Sequence, residues 1–355
     1  MRDTFSAVIL SFTLCGCSGN GTVAPAGTVF ADGETAAESG ESVNSDVAAE
    51  RDSTLPQDAL TPVDTIGSAD HPEGSAVCAA QHCDSFGTAA VAGSLKGKEL
   101  AELSGLAASR VTPGVFFAHD DERSQFFALR SDASIAGKFL LKSVTAIDPE
   151  DIAVGPCGAT TCVFLADIGD NDLKYKEHSI YRVTEPALPP KSTDEVTLSA
   201  TRLRFYYPAS DGTAQAFNAE TLMVHPVTGV MYVVTKAKGK ATVYRLPEAM
   251  NGTAPKPALK LAELTLPALA TGGDIHPCSD RFLLRLYGSL LEYRAPAGAP
   301  FEAAFLAVPV AVPVASEPQG EAVAYLVDGS GFVTASDDKG VAEHPMHLSG
   351  CYRKE

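Results

Sequence analysis

The 355-residue chain has no tryptophan, only five methionines, and 27 lysines and arginines against 44 aspartates and glutamates. Its formal charge of −17 argues against a nucleic-acid partner, because phosphates are neutralised by Lys and Arg. No apolar run reaches the roughly 18–20 residues that a membrane-spanning helix requires. There is no G-x-S-x-G elbow, no H-E-x-x-H pair and no phosphate-binding P-loop, so no complete catalytic signature is present. Helical periodicity is weak throughout, which speaks against an α/β fold. Cysteine is plentiful at eight residues. No two have C-x-x-C spacing and no histidine cluster accompanies them, which speaks against zinc.

What is present begins with an address. Arg2 makes a thin basic start, weakened by Asp3, and Thr4 to Leu14 is apolar, a length that suits a secretory signal. The run ends in Leu14-Cys15-Gly16-Cys17, which resembles the lipobox of bacterial lipoproteins. That resemblance implies that residues 1–16 are removed as a signal peptide and that Cys17 carries the acyl chains, palmitate among them. The lipid bilayer is then a partner through Cys17, each buried CH₂ contributing about 0.8 kcal/mol. Ser18 does not resemble the Asp associated with inner-membrane retention, which favours the outer membrane, on its periplasmic or surface face. An ordinary signal peptide with an incidental Cys, and a cytoplasmic chain with an apolar start, are the alternatives. Residues 18–77 hold 11 acids against one base, among Gly, Ser, Thr, Ala and Pro. Such a segment buries too little apolar surface to offset its ordering entropy, so residues 17–77 read as a lipidated Cys17 followed by a flexible acidic tether.

With Cys15 lost and Cys17 acylated, six cysteines remain: Cys78, Cys83, Cys157, Cys162, Cys278 and Cys351. An even number in an exported chain indicates disulfides, with 15 connectivities open. Cys157 and Cys162 flank Gly-Ala-Thr-Thr and could face each other across a hairpin. Cys78 with Cys83 is a short-range option, and Cys278 with Cys351 follows by elimination.

Residues 78–355 contain a repeat, as a search for internal periods shows. An apolar strand ending in Tyr-Arg recurs at Tyr181-Arg182, Tyr244-Arg245, Tyr293-Arg294 and Tyr352-Arg353, with a degenerate copy at Leu129-Arg130. Each copy is preceded by a small-residue strand, at LSGLAAS, PEDIAVGP, NAETLMVHP, TGGDIHP and GEAVAYLVDG, and then by a β-branched or aromatic strand such as GVFFAHDD or CVFLADIGDN. Alternating segments such as TRLRFYYP and LKLAELTLP follow. Four short strands repeated every 50–60 residues or so describe the blade of an all-β propeller. Small residues suit the inner strand, unbroken apolar runs the middle strands, and alternation the exposed outer strand. The last repeat lacks an outer strand, which FGTAAVAGSL from Phe86 could supply, closing the ring. Five blades are visible; six also fit the length, because residues 297–318 are ambiguous.

The runs ELSGLAASRVTPGVFFAHDD, DPEDIAVGP, ADIGDN, NAETLMVHP, YVVTK and EPQGEAVAY resemble a family of uncharacterised bacterial propeller proteins. More loosely they resemble the phytase-like and gluconolactonase-like propellers, which place Ca²⁺ or another divalent ion at the channel mouth. Fold transfers readily across such a resemblance and function does not.

In a propeller, the loops entering inner strands and leaving second strands share one face. Entering residues include Asp148, Glu150, Asp151, Asn218, Glu220 and Glu321; leaving residues include His119, Asp120, Asp121, Asp167, Asp170, Asn171, Lys236 and Asp337. Glu150, Glu220 and Glu321 hold like positions in three blades, with Ser104 and Thr271 in the other two. Oxygen donors converging there suit a hard cation, and Glu150, Glu220, Glu321, Asp167, Asp170 and Asn171 are the candidate ligands. Asp120, Asp151, Asn218 and Lys236 are candidate binding residues, and His119 is the candidate for acid–base work. Turn capping by Asp and Asn is the competing explanation. His225-Pro226 and His276-Pro277 occupy equivalent turns and read as repeat architecture. The expected function is therefore a lipid-anchored binding or scaffold module whose acidic mouth receives a protein, glycan or small ligand. The alternative is a Ca²⁺-dependent hydrolase of phosphoesters or lactones; a structural envelope protein, which needs no intact mouth, is a third.

Overall fold

Every small-residue segment of the repeat is an inner strand: Leu103–Ala108, Pro149–Cys157, Ala219–Val224, Ala270–Ile275 and Gly320–Tyr325. The computed structural model describes residues 83–353, apart from 97–98, 122, 251–252, 339–340 and 342. The expected signal peptide, Cys17, the expected tether and Cys78 lie outside the described residues. Each inner strand pairs antiparallel with the next segment in sequence, giving five sheets and so five blades. Residues 297–318 form no sixth: they hold a short 3₁₀ helix, Phe301–Leu306, and the outer strand Val310–Val312 of the fourth blade.

The second strands Val115–Asp120, Arg281–Leu286 and Gly331–Ser336 are buried at every position, as strands covered on both faces must be. Thr201–Pro208, the outer strand of the second blade, alternates instead. Inner strands pack against both neighbours around the ring, with Gly320–Tyr325 meeting Leu103–Ala108 to close it. Small residues permit this approach: a Cβ on Gly272 would come 2.3 Å from the Glu321 carbonyl oxygen.

Five apolar clusters fill the five interfaces between blades. One joins Phe116 and Phe127 to Val333 and Met346 across the seam between the last and first blades. Tyr181, Tyr244 and Tyr293 are buried in these interfaces. Tyr352 is not; it is 61% exposed. In the fifth blade Ser349 lies opposite Phe332, the place that Tyr293 takes opposite Phe282, so the Tyr-Arg at 352–353 falls past the repeat position.

Ring closure follows the sequence reading. Ala90–Lys96 pairs with Glu343–Tyr352 as the outer strand of the fifth blade, and Ser85–Phe86 extends the same edge. Cys157 bonds Cys162 across the hairpin turn. The other expected pairings are corrected: Cys83 bonds Cys351, not Cys78, because the closing strand carries Cys83 alongside the end of the last strand. Cys278 is disulfide-bonded too, but not to Cys351. His225 and His276 do serve the repeat, each accepting backbone N–H bonds at Nδ1 in the turn after an inner strand.

Candidate binding site at the channel mouth

All five inner strands carry an irregularity at the same place. Pairing with the second strand slips between Leu103 and Gly105, Pro149 and Asp151, Ala219 and Thr221, Ala270 and Gly272, and Gly320 and Ala322. A β-bulge leaves its extra residue out of the ladder and redirects the side chain. The bulged residues are Ser104, Glu150, Glu220, Thr271 and Glu321. Ser104 and Thr271 stitch each blade to the next, donating to the carbonyls of Glu150 (2.7 Å) and Gly320 (2.9 Å). The three glutamates remain at the mouth.

Those glutamates feel one another. Glu150 is held well above the usual carboxylate range by burial and then by Glu220 and Asp148. Burial pushes Glu220 up to about 7, against the pull of Lys236. Glu321 is pushed up to about 8 by burial, with Glu220 and Asp337 adding to the shift. Asp148 is raised by burial and by Asp167 and Asp170. Its Oδ2 and the Glu150 Oε1 both lie 2.4 Å from where a Cβ on Gly169 would sit, so glycine makes room for two carboxyls side by side.

Among the described residues one cation enters this group. Lys236, just past the second strand of the third blade, forms an ion pair with Glu220 and lies 5.0 Å from the Tyr287 ring centroid. Burial works against its charge, but Glu220 and Tyr287 hold it above the usual lysine value. Gln319 donates to Glu321 (2.8 Å) and to Asp337 (2.9 Å).

Other candidates sit elsewhere. His119 is inside a strand, fully buried beneath Gly105, where its Nε2 and the Asp151 Oδ1 lie 2.8 and 2.7 Å from a Cβ position. Its Nδ1 meets the Asp120 carbonyl (2.9 Å), and burial lowers it to about 4. It lies within the strand Val115–Asp120 and has no exposed surface. Asp151 is also interior: Oδ1 accepts from the Ile152 N–H (2.8 Å) and Oδ2 from the Leu222 N–H of the third blade (2.7 Å).

The Ala-Asp-Ile-Gly-Asp-Asn run is mostly turn chemistry. Asp167 accepts from the N–H groups of Ile147 and Asp148, and Asp170 from those of Lys174 and Tyr175. Asn218 ties the loop down, accepting from the Asp170 N–H (2.8 Å) and donating to Asn171 (3.0 Å).

Several of the candidate cation ligands already have partners. A calcium ion takes roughly six to eight oxygens; one oxygen of Glu220 meets Lys236, one of Glu321 meets Gln319, one of Asp167 accepts from backbone amides, and both of Asp170 do so. Among the described residues no three His, Cys, Asp or Glu are grouped to hold a metal ion. Tyr287 and Gln319 were missed in the sequence, although the repeat marks both. Tyr287 follows Leu286 as Lys236 follows Thr235, and Gln319 precedes Gly320 as Asn218 precedes Ala219.

No family model and no curated protein matches the chain. Among solved structures, a PQQ-bound aldose sugar dehydrogenase from Streptomyces coelicolor is similar at 11% identity and a TM-score of 0.44, over 75% of this chain and 99% of its own. A luciferin-regenerating enzyme is similar at 12% identity and 0.37, over 72% and 94%. The WD40 repeats of RRP9 are similar at 10% and 0.34, over 70% and 67%. All three are propeller-type folds.

Proposed function

We propose that the protein is a binding module, carried outside the cytoplasm on lipidated Cys17, whose channel mouth receives a cationic group of its ligand. The observation that carries this reading is the set of three bulged glutamates, buried together with Lys236 as the one counter-charge among the described residues. Carboxyls whose proton affinity is raised by burial, and then by their acidic neighbours, are stabilised in the charged form by a further positive charge, and among the described residues Lys236 is the cation that acts on all three. Export is supported by the cysteines: Cys83, Cys157, Cys162, Cys278 and Cys351 are all disulfide-bonded, which suits an oxidising compartment.

The test is thermal melting of the chelator-stripped full chain with added spermidine, Ca²⁺, Mg²⁺, Mn²⁺ or Zn²⁺ at pH 8.5. A ligand at 100 times its Kd stabilises by about 2.7 kcal/mol. A spermidine shift that disappears in Glu321→Gln is the expected result. A shift with Ca²⁺ alone would instead favour the metal-dependent hydrolase, with Lys236 displaced from Glu220. No shift with any cation would leave the glutamate ring as architecture and sink the proposal.

A further inference from the structure

On another part of the molecule, a cleft of about 460 Å³ opens between the second and third blades. Its walls include Phe164, Leu203, Met231 and Leu246, each less than 8% exposed overall. One rim is the Cys157–Cys162 hairpin; the other is the turn through Thr228 and Gly229. Gly229 has φ +74°, and a Cβ there would stand 2.7 Å from the Pro156 carbonyl oxygen, so the two blades meet at this turn. Arg182 lies in the cleft, half-buried, opposite Phe164 in the ladder.

The arginines of the repeat show what is unusual about Arg182. Arg130 donates to the Ile135 carbonyl (3.2 Å). Arg245 pairs with Glu248 and Glu302, and Arg294 with Glu292. The Arg182 guanidinium has no hydrogen bond or ion pair among the described residues. In a chain with 44 acids, a half-buried guanidinium left without a carboxylate is a recognition group waiting for one. Its planar fork takes carboxylates in bidentate fashion, and a volume of this size suits a small molecule with an apolar body.

We infer that this cleft is a second binding site, for a small carboxylate with an apolar ring or short acyl body, in which Arg182 takes the carboxylate and Phe164, Leu203 and Met231 bury the body. It is independent of the channel mouth.

The chain has no tryptophan, so a naphthalene probe can be read directly by fluorescence. The full chain is titrated with 2-naphthoate and, separately, with the uncharged 2-naphthylmethanol. Saturable naphthoate binding is expected, at least tenfold tighter than that of the alcohol. Arg182→Gln should weaken it at least tenfold, the loss expected of a charge-assisted contact, and Arg182→Lys should recover part. Thr228→Phe, on the exposed rim, should block binding with the melting temperature retained. Glu321→Gln, which disables the mouth, should leave naphthoate binding unchanged. Equal binding by wild type and Arg182→Gln, or no saturation below millimolar probe, would overturn the assignment whatever the mouth is found to bind.

Discussion

At neutral pH the Glu321 carboxyl is mostly protonated, because its folded value is about 8 against 4.5 for a free side chain. Between those two values the folded protein keeps a proton that the unfolded chain has released. Stability therefore falls as pH rises through that window and levels off above it. Glutamine cannot ionise and keeps a partner for Gln319. Glu321→Gln should accordingly match the wild type near pH 5 and exceed it at pH 8.5, by about 1–3 kcal/mol. Melting curves at the two pH values check this, and an identical difference at both would rule it out. His119 answers to the same physics with the opposite sign: buried and held near 4, it should stay neutral down to about pH 5 in an NMR titration. Arg182 and Glu321 thus define two separate experiments at single residues, one reading a bound anion and the other a released proton.

The inner strand is the element in which structural and site residues are interleaved. Glu150 stands on the bulge and faces the mouth, while Asp151, one residue on, is sealed inside and joins two blades. Asp274 does for the fourth and fifth blades what Asp151 does for the second and third, accepting from the N–H groups of Ile275 (2.8 Å) and Tyr325 (2.9 Å). Asp151→Ala strands two buried N–H donors and should cost about 2–4 kcal/mol, read as a lowered urea midpoint; a midpoint unchanged within error would contradict the stitch. The blade itself was legible from sequence because strand type follows composition. Small, unbroken apolar and alternating segments became inner, middle and outer strands, and Phe86 onward closed the ring. The like placement of Glu150, Glu220 and Glu321 was legible for the same reason. What could not be read was the direction of individual side chains. A bulge shifts the alternation by one residue, so Asp151 and His119 looked as available as Glu150. The Tyr-Arg motif at 352–353 misled because spacing alone does not reveal a slip of three residues within a strand.

For the whole molecule, the question is what keeps a ring of five blades shut. Each interface is apolar and continuous, but the fifth blade depends on strands from opposite ends of the described chain. Ala90–Lys96 pairs with Glu343–Tyr352, and Cys83–Cys351 fastens that edge across a sequence separation of 268 residues. The hairpin disulfide Cys157–Cys162 spans only 5. If cross-links act by restricting the unfolded chain, the long loop contributes about 5 kcal/mol and the short one about 2 kcal/mol. The edge bond also holds Cys83 and Phe86 against Phe332 and Tyr325 in the apolar interface of the last two blades. Cys351→Ser should therefore lower the melting temperature at least twice as far as Cys162→Ser. Adding reductant to Cys351→Ser should cost it less than the same treatment costs the wild type. If the two variants lose equally, the ring is held by its interfaces and the covalent fastening is incidental. If Cys351→Ser alone also speeds exchange of the Ala90–Lys96 amides with solvent, the closing strand is the part that the disulfide secures.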